Sequence, residues 1–125
     1  MPQIKLFDAE LRLMELVWAH APVTAKELSL LAADEVGWNK NTTYTILKKL
    51  VDKKAVLRSE PNFLCTPLIT REQVGEAETK RLINKLYDGS PKAFLTSFLS
   101  KEKLSPDELQ ELRELIDKGF GQKEP

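Results

Sequence analysis

A chain of 125 residues, 42% hydrophobic and 30% charged, is too apolar for general disorder and suits one domain, or a small domain with an accessory element. The formal net charge is zero, so attraction to a polyanion has to come from local clustering rather than from the total. No run approaches the ~18 apolar residues a bilayer span needs, the N-terminus lacks a basic segment followed by an apolar core, and one cysteine, Cys65, excludes an intrachain disulfide framework. A cytoplasmic protein without signal peptide or membrane insertion is therefore expected, in a reducing compartment.

Met1 to Phe7 reads as a short arm. Asp8 is expected to cap a helix from Ala9 to about His20, with Leu11, Met14, Leu16, Val17 and Trp18 facing the core. Pro22 favours an end near Ala21, because the residue before proline is pushed out of the helical region. Thr24-x-x-Glu27 is a capping box opening a second helix to about Glu35, with Leu28, Leu31 and Ala32 buried. Gly37 ends that unit.

Asn39 then caps a helix from Lys40 past Leu50. Thr43, Ile46, Leu47, Leu50 and Val51 recur at helical spacing on a mostly apolar face, and Asn41, Tyr44, Thr45 and Lys48 share another. That second face carries an amide, a phenol, a hydroxyl and an amine, and no carboxylate. Short polar side chains on a rigid helix suit the donors, acceptors and thymine methyls of a major groove, and a phosphate backbone disfavours carboxylates on the docking face. Between Trp38 and Arg58 six cations (Lys40, Lys48, Lys49, Lys53, Lys54, Arg58) stand against one anion, Asp52. A local basic stripe on a neutral chain is compatible with DNA binding.

Ala55–Ser59 and Phe63–Thr66 are expected to form a two-stranded hairpin around the turn signal Glu60-Pro61-Asn62. Helix, helix, recognition helix and hairpin is the order of a winged helix. Thr70-x-x-Gln73 opens a long helix to about Tyr87, carrying Val74, Ala77, Leu82, Leu86 and Tyr87, and Gly89 fits its left-handed end. Pro91 opens a helix with Ala93, Phe94, Leu95, Phe98 and Leu99. Ser105-Pro106-x-Glu108 caps a last one, with Leu109, Leu112, Leu115 and Ile116, ending at Gly119 before a polar tail. The fold class is thus mainly α with a β-hairpin wing: a winged helix-turn-helix domain over 1–69 and a helical region over 70–125. The amphipathic helices of the second region make a poor independent core, so two copies are expected to bury these stripes against each other. The dimer contact is assigned to Leu82, Leu86, Phe94, Leu95, Phe98, Leu99, Leu109, Leu112 and Ile116. A two-fold dimer would set two recognition helices about one DNA turn apart, or a multiple of it, on a palindromic operator.

With these elements in order, the chain resembles the penicillinase and methicillin-resistance repressors (the BlaI/MecI family) over essentially its whole length. The resemblance rests on Glu10 and Met14 to Trp18, on Trp38 with the Thr-x-x-Thr-x-Leu-x-Lys-Leu-like run to Leu50, on Leu82-Ile83-Asn84-Lys85-Leu86-Tyr87-Asp88-Gly89, and on Leu104-Ser105-Pro106-Asp107-Glu108-Leu109-x-Glu111-Leu112. It implies a homodimeric winged-helix repressor of operators upstream of β-lactamase or related resistance genes. It also implies derepression by proteolysis in the C-terminal region, triggered by a membrane-bound β-lactam sensor through an activated protease. The family's cleaved bond is an Asn-Phe pair; the aligned pair here is Ser97-Phe98, a departure that bears on both site and signal. A copper-responsive branch carries C-terminal cysteines that this chain lacks. The wing has one cation, Arg58, and Glu60 near its tip, so it is expected to contact DNA less than basic wings do.

For DNA, Asn41, Tyr44, Thr45 and Lys48 are assigned to the groove face, Asn41 toward adenine and Thr45 or the Tyr44 ring toward a thymine methyl. Lys40, Lys49 and Arg58 are assigned to phosphates, which set register without reading sequence. Thr24 and Lys26 begin the helix expected to cross the backbone, where N-terminal amides suit a phosphate. Trp18, Trp38 and Cys65 read as core residues, and His20 lacks partners for a metal or catalytic role. No phosphate loop or nucleophile motif is present, so a non-enzyme without cofactor or metal is expected. Two competing readings are a winged-helix protein-docking module, for which exposed apolar anchors would be the mark, and a repressor sensing another stimulus through a pocket in the helical half.

Overall fold

A helix forms where its first free amides find acceptors, and the computed structural model, which describes residues 4–119, places six such helices. α1 spans Asp8–His20, α2 Ala25–Glu35 and α3 Lys40–Asp52. β1 (Val23–Thr24) precedes α2, and β2 (Val56–Ser59) and β3 (Leu64–Pro67) follow α3. α4 (Arg71–Leu86), α5 (Pro91–Lys101) and α6 (Pro106–Asp117) complete the order. The start of the expected arm (residues 1–3) and the tail after Gly119 lie outside the described residues.

The Thr24, Thr70 and Ser105 hydroxyls accept from the amides of Glu27, Gln73 and Glu108 at 3.1, 3.0 and 3.1 Å, and each of those side chains accepts the cap residue's own N–H in return. Asn39 Oδ1 accepts from Thr42 N–H at 2.8 Å. Helix α1 differs from expectation. Phe7, not Asp8, holds the cap position, and Asp8 is the first helical residue. The reason is Glu10, whose buried carboxylate reaches back to accept the Phe7 N–H at 2.8 Å.

The sheet has three strands in the order β1-β3-β2, not two. β3 is central: Cys65 lies opposite Val23 of β1 on one side and Arg58 of β2 on the other. Two residues after Pro22, the second of them the α2 cap Thr24, are too short to show alternation, so pairing rather than pattern makes β1 a strand. The Ala25 amide extends that pairing by donating to the Phe63 carbonyl at 2.9 Å.

The core of this first unit joins Leu13, Met14 and Val17 of α1, Leu28 and Ala32 of α2, Leu47 and Leu50 of α3, and Val56 and Cys65 of the sheet. Leu13 was not among the expected core residues, whereas Leu11, Trp18 and Leu31 are only partly buried at its edge. Trp18 stays at the edge because its indole N–H needs a partner, and it donates to the Ile69 carbonyl at 2.9 Å.

The chain divides into two compact units between Leu82 and Ile83, inside α4, whereas the boundary was expected after residue 69. The start of α4 belongs to the first unit because Ile69 and Val74 join its core and Arg71 pairs with Glu15 at 2.5 Å. In the second unit, Gly89 (φ +76°) closes α4 by donating to the Ile83 carbonyl at 3.0 Å. Ser90 caps α5 by accepting from the Ala93 amide at 3.0 Å. Tyr87 meets Phe94 edge-on at 5.4 Å, and Phe94 stacks on Phe98 at 6.0 Å. No residue of α5 or α6 is buried.

Candidate nucleic-acid interface

Helix α3 cannot roll about its axis. Thr43, Leu47 and Leu50 are fully buried on one face, which fixes what the opposite face presents. Asn41, Thr45, Lys48 and Lys49 are exposed there, and Tyr44 is half-buried against the core edge, with the Lys40 ammonium 5.7 Å from its ring centre. The helix has no acidic residue in its first turn. Its one carboxylate, Asp52, pairs with Lys48 at 3.4 Å, and both side chains are well exposed. Such a solvent-exposed pair is weak and leaves Lys48 able to exchange partners.

The wing tip is built by Asn62 and Phe63, both left-handed at φ +73° and +51°. Its one cation is occupied: Arg58 Nε donates to Glu60 Oε2 at 2.6 Å, and the guanidinium lies 4.0 Å from the Phe63 ring centre. At the start of α2 the donors are also largely spent. The Ala25 amide bonds Phe63, and the Glu27 amide bonds Thr24 Oγ1. The Thr24 hydroxyl donates to the Glu27 carboxylate at 3.0 Å. The Thr24 amide and hydroxyl hold that carboxyl below its ordinary range, so an anion already sits at this helix start. Lys26 beside it is exposed.

These pieces enclose one cleft of about 510 Å³. Ala25 and Lys26 come from α2, Tyr44, Lys48, Val51 and Asp52 from α3, and Arg58, Asn62 and Phe63 from the wing. Four residues assigned to DNA, Lys26, Tyr44, Lys48 and Arg58, are thus brought together by three elements. Lys40, Asn41, Thr45 and Lys49 lie on α3 outside that lining. Lys53, counted in the basic stripe, is drawn inward to the buried Glu10 at 2.6 Å. Nothing local announced this partner, which lies 43 residues away in the chain.

Cys65 is fully buried in β3, and burial pushes its thiol up to about 11 against the opposing pull of the Arg58 charge. Among the described residues no group of three His, Cys, Asp or Glu side chains is placed to hold a metal ion, and no helix is long and apolar enough to cross a membrane.

The family model described as penicillinase repressor matches residues 6–118. The penicillinase repressor of Bacillus licheniformis is 28% identical over 118 residues, covering 93% of this chain and 91% of that protein. The methicillin resistance regulatory protein MecI of Staphylococcus aureus (strain N315) is 27% identical over 116 residues, covering 91% of this chain and 94% of its own. The solution structure of the DNA-binding domain of the repressor BlaI superposes with a TM-score of 0.53 at 26% identity, over 58% of this chain and 90% of that domain.

Proposed function

Because the chain belongs to the penicillinase repressor family, we propose that it acts as a homodimer on palindromic operators of β-lactamase or other antibiotic-resistance genes, with derepression by proteolysis in its C-terminal helices. The family is one of DNA-binding transcriptional repressors rather than enzymes. The observation that carries the reading is the outer face of α3, polar to basic and held rigid by its buried opposite face. In this reading Asn41, Tyr44, Thr45 and Lys48 meet base edges, while Lys40, Lys49, Arg58 and Lys26 meet the sugar-phosphate backbone; Thr24, whose amide and hydroxyl are both given to Glu27, has no donor left for a phosphate. The protein works in the cytoplasm, where its operator is.

The unburied apolar residues of α5 and α6 support the second copy, and a two-fold pair would present two α3 helices to two half-sites. Ser97 and Phe98 are exposed in α5, at the place where the resemblance puts the cleaved bond. Serine at 97 in place of the family's asparagine favours a second reading, a repressor of the same architecture released by another signal.

A gel shift against fragments of the gene's own upstream region, with random DNA as competitor, tests the main reading; a specific, salt-sensitive dimer complex is expected. Tyr44→Ala lowers the preference for operator over random DNA about tenfold, the discrimination of one base contact, and unchanged preference removes Tyr44 from the base readers. Lys48→Ala with Lys49→Ala reduces the slope of log affinity against log salt by about 0.9 for each lost phosphate contact. An unaltered slope takes both residues off the phosphates.

A further inference from the structure

Glu10 is a carboxylate at 3% exposure, on α1 and far in sequence from the recognition helix. A buried charge persists only if it is paired and hydrogen-bonded. Its Oε1 accepts from the Phe7 amide at 2.8 Å and from Lys53 Nζ at 2.6 Å. Lys53 is the cap residue at the C-terminal end of α3. Directly after it, Lys54 turns left-handed at φ +65°, and the Ala55 amide donates to the Leu50 carbonyl at 2.9 Å before β2 begins. Lys53 therefore stands where the recognition helix hands the chain to the wing.

Its ammonium has three donor directions and each meets something. One goes to Glu10, one to the Lys5 carbonyl at 2.8 Å, and the Phe7 ring centre lies 4.6 Å away. The segment it grips is anchored in turn, since Leu6 is buried and Arg81 of α4 donates to the Ile4 carbonyl at 3.3 Å. Two of the three hydrogens of this ammonium are thus held by acceptors within the chain.

We propose that Glu10 and Lys53 form a positioning pair that fixes the C-terminal end of the recognition helix against α1, and that Lys53 makes no contact with DNA although it lies in the basic stretch. The proposal rests on the operator-binding reading above. The two roles open to Lys53 differ in what they change. A phosphate contact adds affinity for any DNA and steepens the salt dependence. A positioning pair leaves both alone and acts on base contacts, which need the helix aligned.

The test uses the full chain, its operator fragment and random DNA of equal length, across a salt series. The variants are Lys53→Met, Glu10→Gln and the double variant. Methionine keeps the stem, and glutamine keeps an acceptor for the Phe7 amide. Circular dichroism at the assay temperature confirms folding, and Glu10→Gln is read alone where Lys53→Met does not fold. The expected result is an operator-to-random preference about tenfold lower in either single variant, the scale of one base contact. Random-DNA affinity and the salt slope stay unchanged, and the double variant loses no more than one single, as coupled partners do. Lys53→Arg, which keeps the charge, restores most of the preference. A slope reduced by about 0.9 with operator and random affinity falling together makes Lys53 a phosphate contact and overturns the proposal. Unchanged preference in both single variants overturns it as well. A wild-type chain that does not distinguish operator from random DNA sinks the repressor reading itself, and the pair's role with it.

Discussion

Phe98→Asp combined with Leu112→Asp is expected to give a monomer that binds a half-operator as before and a full operator about 10²-fold or more weakly, because the second half-site then no longer binds intramolecularly. The two residues are 47% and 37% exposed, one on α5 and one on α6. They sit among Leu95, Leu99, Leu109, Leu115 and Ile116, all exposed. Two short helices with no buried residue do not hold themselves together against chain entropy. In the proposed dimer a second copy would supply the missing surface, and an aspartate on each helix would make that burial unfavourable for both protomers at once. Sedimentation equilibrium reads the dimer, and gel shifts on half- and full-operator fragments read the consequence. Dimers that persist in the double variant would put the contact elsewhere. A first unit that melts at a lower temperature would show that these residues serve the fold of one chain instead.

The legible parts of this molecule are those with a local chemical signature. Thr24-x-x-Glu27, Thr70-x-x-Gln73 and Ser105-x-x-Glu108 each satisfy their own amides within one turn, so three helix starts could be read within a residue. The burial of Thr43, Leu47 and Leu50 follows from helical spacing, and so does the polar outer face of α3. What escaped was set at a distance. β1 is a strand only because β3, some forty residues on, pairs with it. Glu10 was given no structural role from the sequence, and Lys53 was simply counted in the basic stripe, because nothing near either residue shows the other. Lys54 takes the left-handed position after α3 with no glycine to mark it. The boundary near residue 69 was read from a proline and a capping box, both local, whereas Val74 and the Ile69 carbonyl tie α4 back to the first unit. Candidate site residues were named element by element, yet the cleft that gathers Lys26, Tyr44, Lys48 and Arg58 exists only once α2 and the wing have folded against α3.

Leu47→Ala is expected to destabilise the first unit by about 2–5 kcal/mol, the range for emptying a buried leucine site. Total stability of ordinary domains is about 5–15 kcal/mol, so this is a large fraction of it, and the melting temperature should fall by roughly 10 °C or more. Leu47 has no exposed surface, and α3 packs against both α1 and α2, so the cavity lies where three helices meet and cannot drain to solvent. Cys65 provides an internal reporter. It is fully buried and its thiol is pushed up to about 11, so alkylation near neutral pH requires the sheet to open. Where reclosing is faster than labelling, the labelling rate tracks the open population and rises at least about 30-fold in Leu47→Ala, the factor that ~2 kcal/mol represents. The control is Thr45→Ala, two residues away on the exposed face. It should change stability by no more than about 0.5 kcal/mol, while costing operator discrimination. Lost operator binding in Leu47→Ala with unchanged melting and unchanged labelling would mean that Leu47 acts at the DNA surface, and that the two faces of α3 have been assigned the wrong way round.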